Sequence, residues 1–198
     1  MRGTRSPRRG TPLSARHWDA RLHSLVGGLP ATAADRWLRR LTTAADHGRL
    51  WIATGALLAL RRGALRRAAV RGMASMAVSS GLVNTALKPM VGRRRPDLAA
   101  HPVHRLLHEP VTTHSFPSGH ASSAGAFVTA VALECPAAGA ALALLALAVG
   151  YSRVHVGVHY PGDVVAGLAL GAAVAVGGRR CWPVRWTAAA PAPAPTGV

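Results

Sequence analysis

Four stretches of this sequence, residues 72–87, 121–133, 137–150 and 164–176, contain no charged residue at all. A helix at the surface of a soluble bundle shows one face to water and carries polar groups along it. A helix that is apolar all round is either buried or embedded in a bilayer. Each stretch is shorter than the roughly 20 residues that a spanning helix needs. They reach that length by taking in flanking Gly, Ser, Thr and polar residues, and they follow one another with tight breaks between. The pattern is that of an all-α, polytopic membrane helix bundle of five to six spans, in preference to a buried soluble helix pair.

Composition supports this class. The chain is 49% hydrophobic but only 5% aromatic, and small aliphatic residues let membrane helices approach closely. The net charge is +17. The arginines flank the apolar runs instead of lining one groove, and few aromatics are present to stack on bases. Nucleic acid is therefore not expected as a partner, and anionic lipid headgroups account for the charge. Among 24 basic side chains Lys88 is the only lysine, which marks it as a position where arginine would not serve. The two cysteines, Cys135 and Cys181, have no metal-ligand spacing and imply no disulfide framework.

In chain order, residues 1–16 read as a disordered basic leader without the apolar core of a signal peptide. Residues 17–47 hold apolar residues at helical spacing (Leu22, Leu25, Val26, Leu29, then Ala34, Trp37, Leu38, Leu41). The second group fits an amphipathic helix lying on the membrane or packed on the bundle. Residues 50–60 are the first candidate span, followed by an arginine-rich loop over 61–71. After the run at 72–87 comes a polar connection over 89–116 with four prolines and His101, His104, His108 and His114. Helices are expected from Pro117-Ser118 to about Glu134, from Pro136 to about Ser152, and from Pro161 to Val176. A membrane domain thus covers 17–178, its motif-bearing core 50–178, and residues 179–198 read as a disordered tail.

Positive charge at 61–71 and at Arg179-Arg180 places those ends in the cytoplasm. The polar segments around Lys88, His120 and His159 then share the extracytoplasmic face of a multi-pass cell-membrane protein. Five spans would leave the leader outside, against the same rule; insertion of residues 18–33 as a sixth would bring it inside.

Three segments carry chemistry on that face: Lys88 to Pro96, Pro117 to His120, and Ser152 to Asp163. Two or three cations, a Ser-Gly helix start, two histidines and one aspartate all suit a phosphate dianion. Lysine supplies a point charge and arginine planar, bidentate recognition. A helix N-terminus with glycine offers free N–H groups at close approach. A neutral imidazole can attack phosphorus, a carboxylate across the His159-x-x-x-Asp163 spacing can orient it, and a second histidine can protonate the leaving oxygen. The cations stand in for a metal, and no cofactor or metal site is expected.

These segments resemble the type-2 phosphatidic acid phosphatase superfamily, the phosphohistidine lipid phosphatases whose site is shared with vanadium haloperoxidases. The family's motifs K-x6-RP, PSGH and SR-x5-H-x3-D match Lys88 to Arg95-Pro96, Pro117 to His120, and Ser152-Arg153 to His159 and Asp163 at every motif position. The resemblance implies His159 as nucleophile, Asp163 as its partner and His120 as general acid. It implies Lys88, Arg95, Ser118, Gly119 and Arg153 as phosphate ligands. The implied substrate is a lipid phosphate or diphosphate. Polyprenyl types are favoured over phosphatidic acid or a prenyl-phosphoribose, and a vanadate-dependent haloperoxidase-like enzyme is the more remote reading. Oligomeric state is left open.

Other residues receive plainer readings. Arg93, Arg94 and Arg105 read as headgroup anchors. The loop histidines read as surface, and Asn84 as an interhelical hydrogen-bonding group. His155 stands four residues before His159, as in a zinc pair, but Gly157 and Pro161 oppose a regular helix there, so it reads as packing beside the site. Gly167 and Gly171 read as a helix-packing pair.

Overall fold

A computed structural model describes residues 15–98, 101–107 and 111–181, and among these every regular element is helical. The leader read over 1–16 lies outside the described residues but for its last two, which open the first helix. The tail lies outside them beyond Cys181, as does His108. The elements are α1 (Ala15–Gly27), α2 (Ala33–Ala44), a single 3-10 turn (Asp46–Gly48), α3 (Arg49–Ala59), α4 (Ala64–Leu82), a π segment (Val83–Leu87), α5 (Lys88–Val91), a second 3-10 turn (Val103–Arg105), α6 (Gly119–Glu134), α7 (Pro136–His155) and α8 (Pro161–Cys181).

The hub is α6, which packs against α4, α7 and α8 and buries Ala121, Ala124, Phe127, Ala130 and Val131 round its circumference. Its small residues set how near the neighbours come. A Cβ on Gly167 would lie 2.6 Å from the Ser118 carbonyl oxygen, and one on Gly171 would collide with that of Ser122. The two glycines are thus the packing pair read from the sequence, and they hold α8 against the start of α6. Phe127 reaches the other way, 5.4 Å from the Trp51 ring on α3 and against Gly72 on α4.

Helices α7 (Pro136–His155) and α8 (Pro161–Arg180) are long and apolar enough to cross a membrane by length and composition. Leu144 and Val165 on their outer faces are 72% and 66% exposed. The run over 50–60 forms α3, whose eleven residues extend about 16 Å at 1.5 Å per residue. It is set off from α2 by the turn at Asp46–Gly48, where His47 and Gly48 adopt left-handed backbone (φ 56° and 73°).

The arginine loop is shorter than its composition predicts. α4 begins at Ala64, so Arg66, Arg67 and Arg71 stand on its first turns. Arginine is a good helix former, and Arg67 and Arg71 close on Glu134 at the end of α6 (3.2 and 2.9 Å). At its other end the helix continues through the π segment into Lys88. Pro89 has no N–H for the Thr85 carbonyl, and a widened turn accommodates that loss.

The N-terminal helices turn their polar side inward. Trp18, Leu25 and Trp37 face out, whereas Asp19, His23, Asp35 and Thr42 are buried against the motif-bearing loops. The helical periodicity read from the sequence is present but divided, Leu22, Leu25, Leu29 and Trp37 facing out while Val26 and Leu41 pack against the core.

Candidate functional site

The three segments meet around one cavity of about 870 Å³, lined among others by Lys88, Arg95, Gly119, His120, Arg153 and His159. Lys88 opens α5 directly after the π segment, and Arg95 lies in the irregular chain after the left-handed cap Gly92. His120 stands on the first turn of α6. Arg153 stands on the last turn of α7, and His159 sits in the short link to α8.

His159 is 2% exposed, and burial pushes its imidazole down to about 3, the bond to Asp163 only partly opposing this. It is therefore neutral at neutral pH. Arg95 Nη1 lies 3.3 Å from His159 Nε2. A guanidinium can only donate, so Nε2 carries the lone pair and the proton sits on Nδ1. That edge faces Asp163 Oδ2 at 3.5 Å, an ion-pair distance longer than a good hydrogen bond. The predicted nucleophile and its carboxylate are thus adjacent, with the free nitrogen toward the cations.

The predicted phosphate ligands divide. Arg153 donates through Nη1 to Thr42 Oγ1, while its Nε is buried without a hydrogen-bond partner among the described residues, a donor lacking an acceptor. Lys88 is pushed down to about 8 by burial and by the nearby Arg95 and Arg153 charges. Arg95 lines the cavity but is also a clamp, donating to the carbonyls of Thr113 (2.7 Å) and Val158 (2.6 Å). Ser118 does not present its hydroxyl to the cavity. It is fully buried and caps α6, accepting from the Ala121 N–H, while its own N–H donates to the Asp163 carbonyl (2.9 Å). That cap leaves the first-turn N–H groups of Gly119 and His120 without intrahelical acceptors.

Several residues in contact with the site were not singled out from sequence, or were set aside. Arg93, read as a headgroup anchor, donates to Asp163 Oδ1 (2.7 Å) and Asp19 Oδ2 (2.6 Å). Arg105, read likewise, is fully buried and donates to the carbonyls of Val26, Leu29 and Pro30, holding the polar connection on the end of α1. Asp35 accepts from His155 (2.9 Å) and His104 (2.8 Å). His155 is therefore buried packing beside the site, as read. His101 is also buried, against Gly27, Gly157 and the His23 ring, not on the surface. Asn84 lines the cavity and bonds within its own helix to Ser80. Asp46 bonds His120. The available signal was scarcity: of seven acidic residues, Asp19, Asp46 and Asp163 each bond or ion-pair a motif or motif-adjacent group.

The profile of the PAP2 superfamily matches residues 68–187. Among curated proteins, the chain is 46% identical over 99 residues to the lipid A 1-phosphatase of Rhizobium johnstonii, covering 48% of this chain and 40% of that protein. It is 38% identical over 131 residues to the decaprenylphosphoryl-5-phosphoribose phosphatase of Mycolicibacterium smegmatis, covering 65% and 68%. The chain spans about 40% of the length of the Rhizobium relatives it matches. Its fold resembles the transmembrane PAP2 type phosphatidylglycerolphosphate phosphatase from Bacillus subtilis (TM-score 0.66, 22% identity, 88% of this chain and 90% of that one). It resembles LpxE of Aquifex aeolicus equally (TM-score 0.66, 22% identity, 81% and 93%). The family match takes in all three motif-bearing segments and well over half of the sequence, and the chain belongs to the PAP2 superfamily.

Proposed function

We propose that this chain is an integral-membrane phosphatase that hydrolyses a lipid phosphate or diphosphate of the polyprenyl class through a phosphohistidine, without a metal ion. The observation that carries the reading is a neutral histidine whose lone pair faces a cavity ringed by Lys88, Arg95 and Arg153. His159 Nε2 attacks phosphorus, and the bond to the leaving oxygen breaks as that oxygen takes a proton from His120. Water then attacks the phosphohistidine, gives a proton back to His120, and the nitrogen–phosphorus bond breaks to release phosphate. Asp163 stabilises the positive charge that develops on the ring. Lys88, Arg153 and the Gly119 and His120 N–H groups hold the phosphoryl oxygens as charge redistributes. Arg95 aims the nucleophile as well as binding.

The chain crosses the membrane in five spans, α3, α4, α6, α7 and α8, while α1 and α2 lie along the catalytic end, where Asp19, Thr42 and Asp46 meet Arg93, Arg153 and His120. Arg71 and Arg179 border one apolar cleft at the end of the bundle away from Lys88 and Asp163, which supports that end as cytoplasmic and the catalytic cavity as extracytoplasmic. Outward-facing Trp18 and Trp37 suit the interface. A polyprenyl tail is supported by the extent of the match to the decaprenylphosphoryl-5-phosphoribose phosphatase, which favours a prenyl-phosphoribose headgroup as much as a polyprenyl diphosphate.

The test is phosphate release by the purified protein from polyprenyl diphosphate, decaprenylphosphoryl-5-phosphoribose, phosphatidic acid and lipid A, each with and without excess chelator. Turnover is expected to favour the polyprenyl substrates and to be unchanged by chelation. Activity lost to chelator and restored by a divalent ion would replace the cation-based mechanism with a metal-based one.

A second outcome follows from Lys88. It is charged below about pH 8 and loses that charge as pH rises through this value, so kcat/KM is expected to fall on the alkaline side near there. Lys88→Arg is expected to lower kcat/KM at pH 7 by about tenfold, because a planar fork replaces a point charge, and to carry the alkaline limb upward. A limb that stays in place in this variant belongs to another group.

A further inference from the structure

Asp46 lies in a stretch that reads as mixed surface helix, yet the backbone is bent to deliver it. His47 is the only non-glycine residue with positive φ among the described residues, and Gly48 follows in the same left-handed region. Such backbone is unfavourable and is retained where the surroundings hold it, often at functional sites. Arg49 Nε donates to the Asp46 carbonyl (3.2 Å) and fixes the bend. The result is a carboxylate in the cavity wall, Oδ1 2.7 Å from His120 Nε2 and 3.7 Å from Arg153 Nη1.

The two histidines are held in opposite senses. Asp163 faces Nδ1 of His159 and leaves Nε2 with a lone pair. Asp46 faces Nε2 of His120. An ionised carboxylate only accepts, so that nitrogen carries the proton. Burial alone would raise the Asp46 carboxyl, but the bond from His120 and the charges of His120, Arg153 and His47 outweigh it and hold it below its ordinary value. Two cations share the cavity wall with the His120 ring, Arg153 from α7 and Lys88 from α5. Asp46 is the carboxylate that opposes them.

We propose that Asp46 is the positioning residue of the general acid, holding the His120 imidazole with a protonated Nε2 turned into the cavity. The proposal rests on the phosphohistidine reading of the same site. As the phosphorus–oxygen bond breaks, the His120 imidazolium passes its Nε2 proton from the bond with Asp46 to the leaving oxygen, which keeps the electron pair of the broken bond, and the ring is left neutral with its proton on Nδ1. When water attacks the phosphohistidine, its proton returns to Nε2 and the bond to Asp46 re-forms. Asp46 touches neither substrate nor phosphoryl group and undergoes no net change.

The experiment compares wild type with Asp46→Asn in single turnovers, following phosphoenzyme formation from an alkyl phosphate lipid and from 4-nitrophenyl phosphate. The alkoxide leaving group needs a proton; nitrophenolate departs without one. Asp46→Asn is expected to slow formation from the alkyl phosphate about 30-fold, less than the roughly 10²–10⁴-fold that general acid catalysis contributes, because His120 itself remains. Formation from 4-nitrophenyl phosphate should stay within about twofold of wild type. The alkaline limb of kcat, which reports groups in the bound complex, should move to lower pH, with KM little changed. Asp46→Glu should recover part of the alkyl phosphate rate, and it carries the same comparison if Asp46→Asn shows no cooperative thermal unfolding. Equal losses on both substrates, or no loss on either, would overturn the proposal. Failure of the underlying reading shows separately in the wild type, as the absence of an acid-labile phosphoenzyme on rapid quenching.

Discussion

Replacing His159 with alanine is expected to cut phosphate release from lipid phosphates by roughly 10⁴-fold or more, the scale seen when a hydrolase loses its nucleophile. No neighbour can substitute for it. Ser118 uses its hydroxyl to cap α6, His120 has Nε2 against Asp46, and Lys88 is charged below about pH 8. Folding should survive, and its pH dependence should change in a defined direction. His159 is held near 3 in the native chain but titrates near 6.5 when unfolded. Between those values the unfolded chain binds the extra proton, so stability contributed by neutral His159 is present above about pH 6.5 and drains away as pH falls. The alanine variant lacks that penalty. Its thermal midpoint should therefore be nearest to, or above, that of wild type at pH 5, and lowest relative to wild type at pH 7. Undiminished turnover in a folded His159→Ala protein would sink the phosphohistidine reading.

How much of this was legible in the sequence depends on the range of the signal. The motifs are local patterns, and Lys88, His120, Arg153 and His159 meet around one cavity as their spacing implied. Helix starts were legible where a residue fixes them: Ser118 as a cap, Pro136 and Pro161 as first residues. The supporting groups were not, because their bonds join residues far apart in the chain. Asp46 meets His120 across 74 residues, and Thr42 meets Arg153 across 111. The periodicity of α2 showed that it has an apolar side, with no indication that Trp37 on it turns out and that Asp35 and Thr42 turn in. In water an apolar stripe points to the core; beside a bilayer the preference reverses. Arg93 and Arg105 were indistinguishable from the other arginines in an arginine-rich chain, since burial is what separates them.

Arg93→Ala is expected to damage stability and activity through two different carboxylates. The guanidinium bridges Asp163 and Asp19 and lies 4.2 Å from the centre of the Tyr160 ring. Asp163 is fully buried; without Arg93 its remaining close donor is the Tyr160 N–H at 2.9 Å. Breaking a fully buried ion pair by removing one partner costs about 3–5 kcal/mol. Arg93 is 22% exposed at its side chain, so solvent screening reduces this to about 2–3 kcal/mol. Asp163 is then free to leave the Nδ1 edge of His159, and kcat should fall about 100-fold, less than the ~10⁴ that follows outright loss of an orienting aspartate in a hydrolase triad. The double variant Arg93→Ala with Asp19→Asn separates the two effects. Neutralising Asp19 removes the second unpaired carboxylate, so part of the thermal stability should return, while Asp163 remains unsupported and kcat stays low. Recovery of stability without recovery of kcat locates the catalytic role of Arg93 at Asp163. Recovery of both together would mean that Arg93 acts only by fastening α1 to the motif-bearing loops.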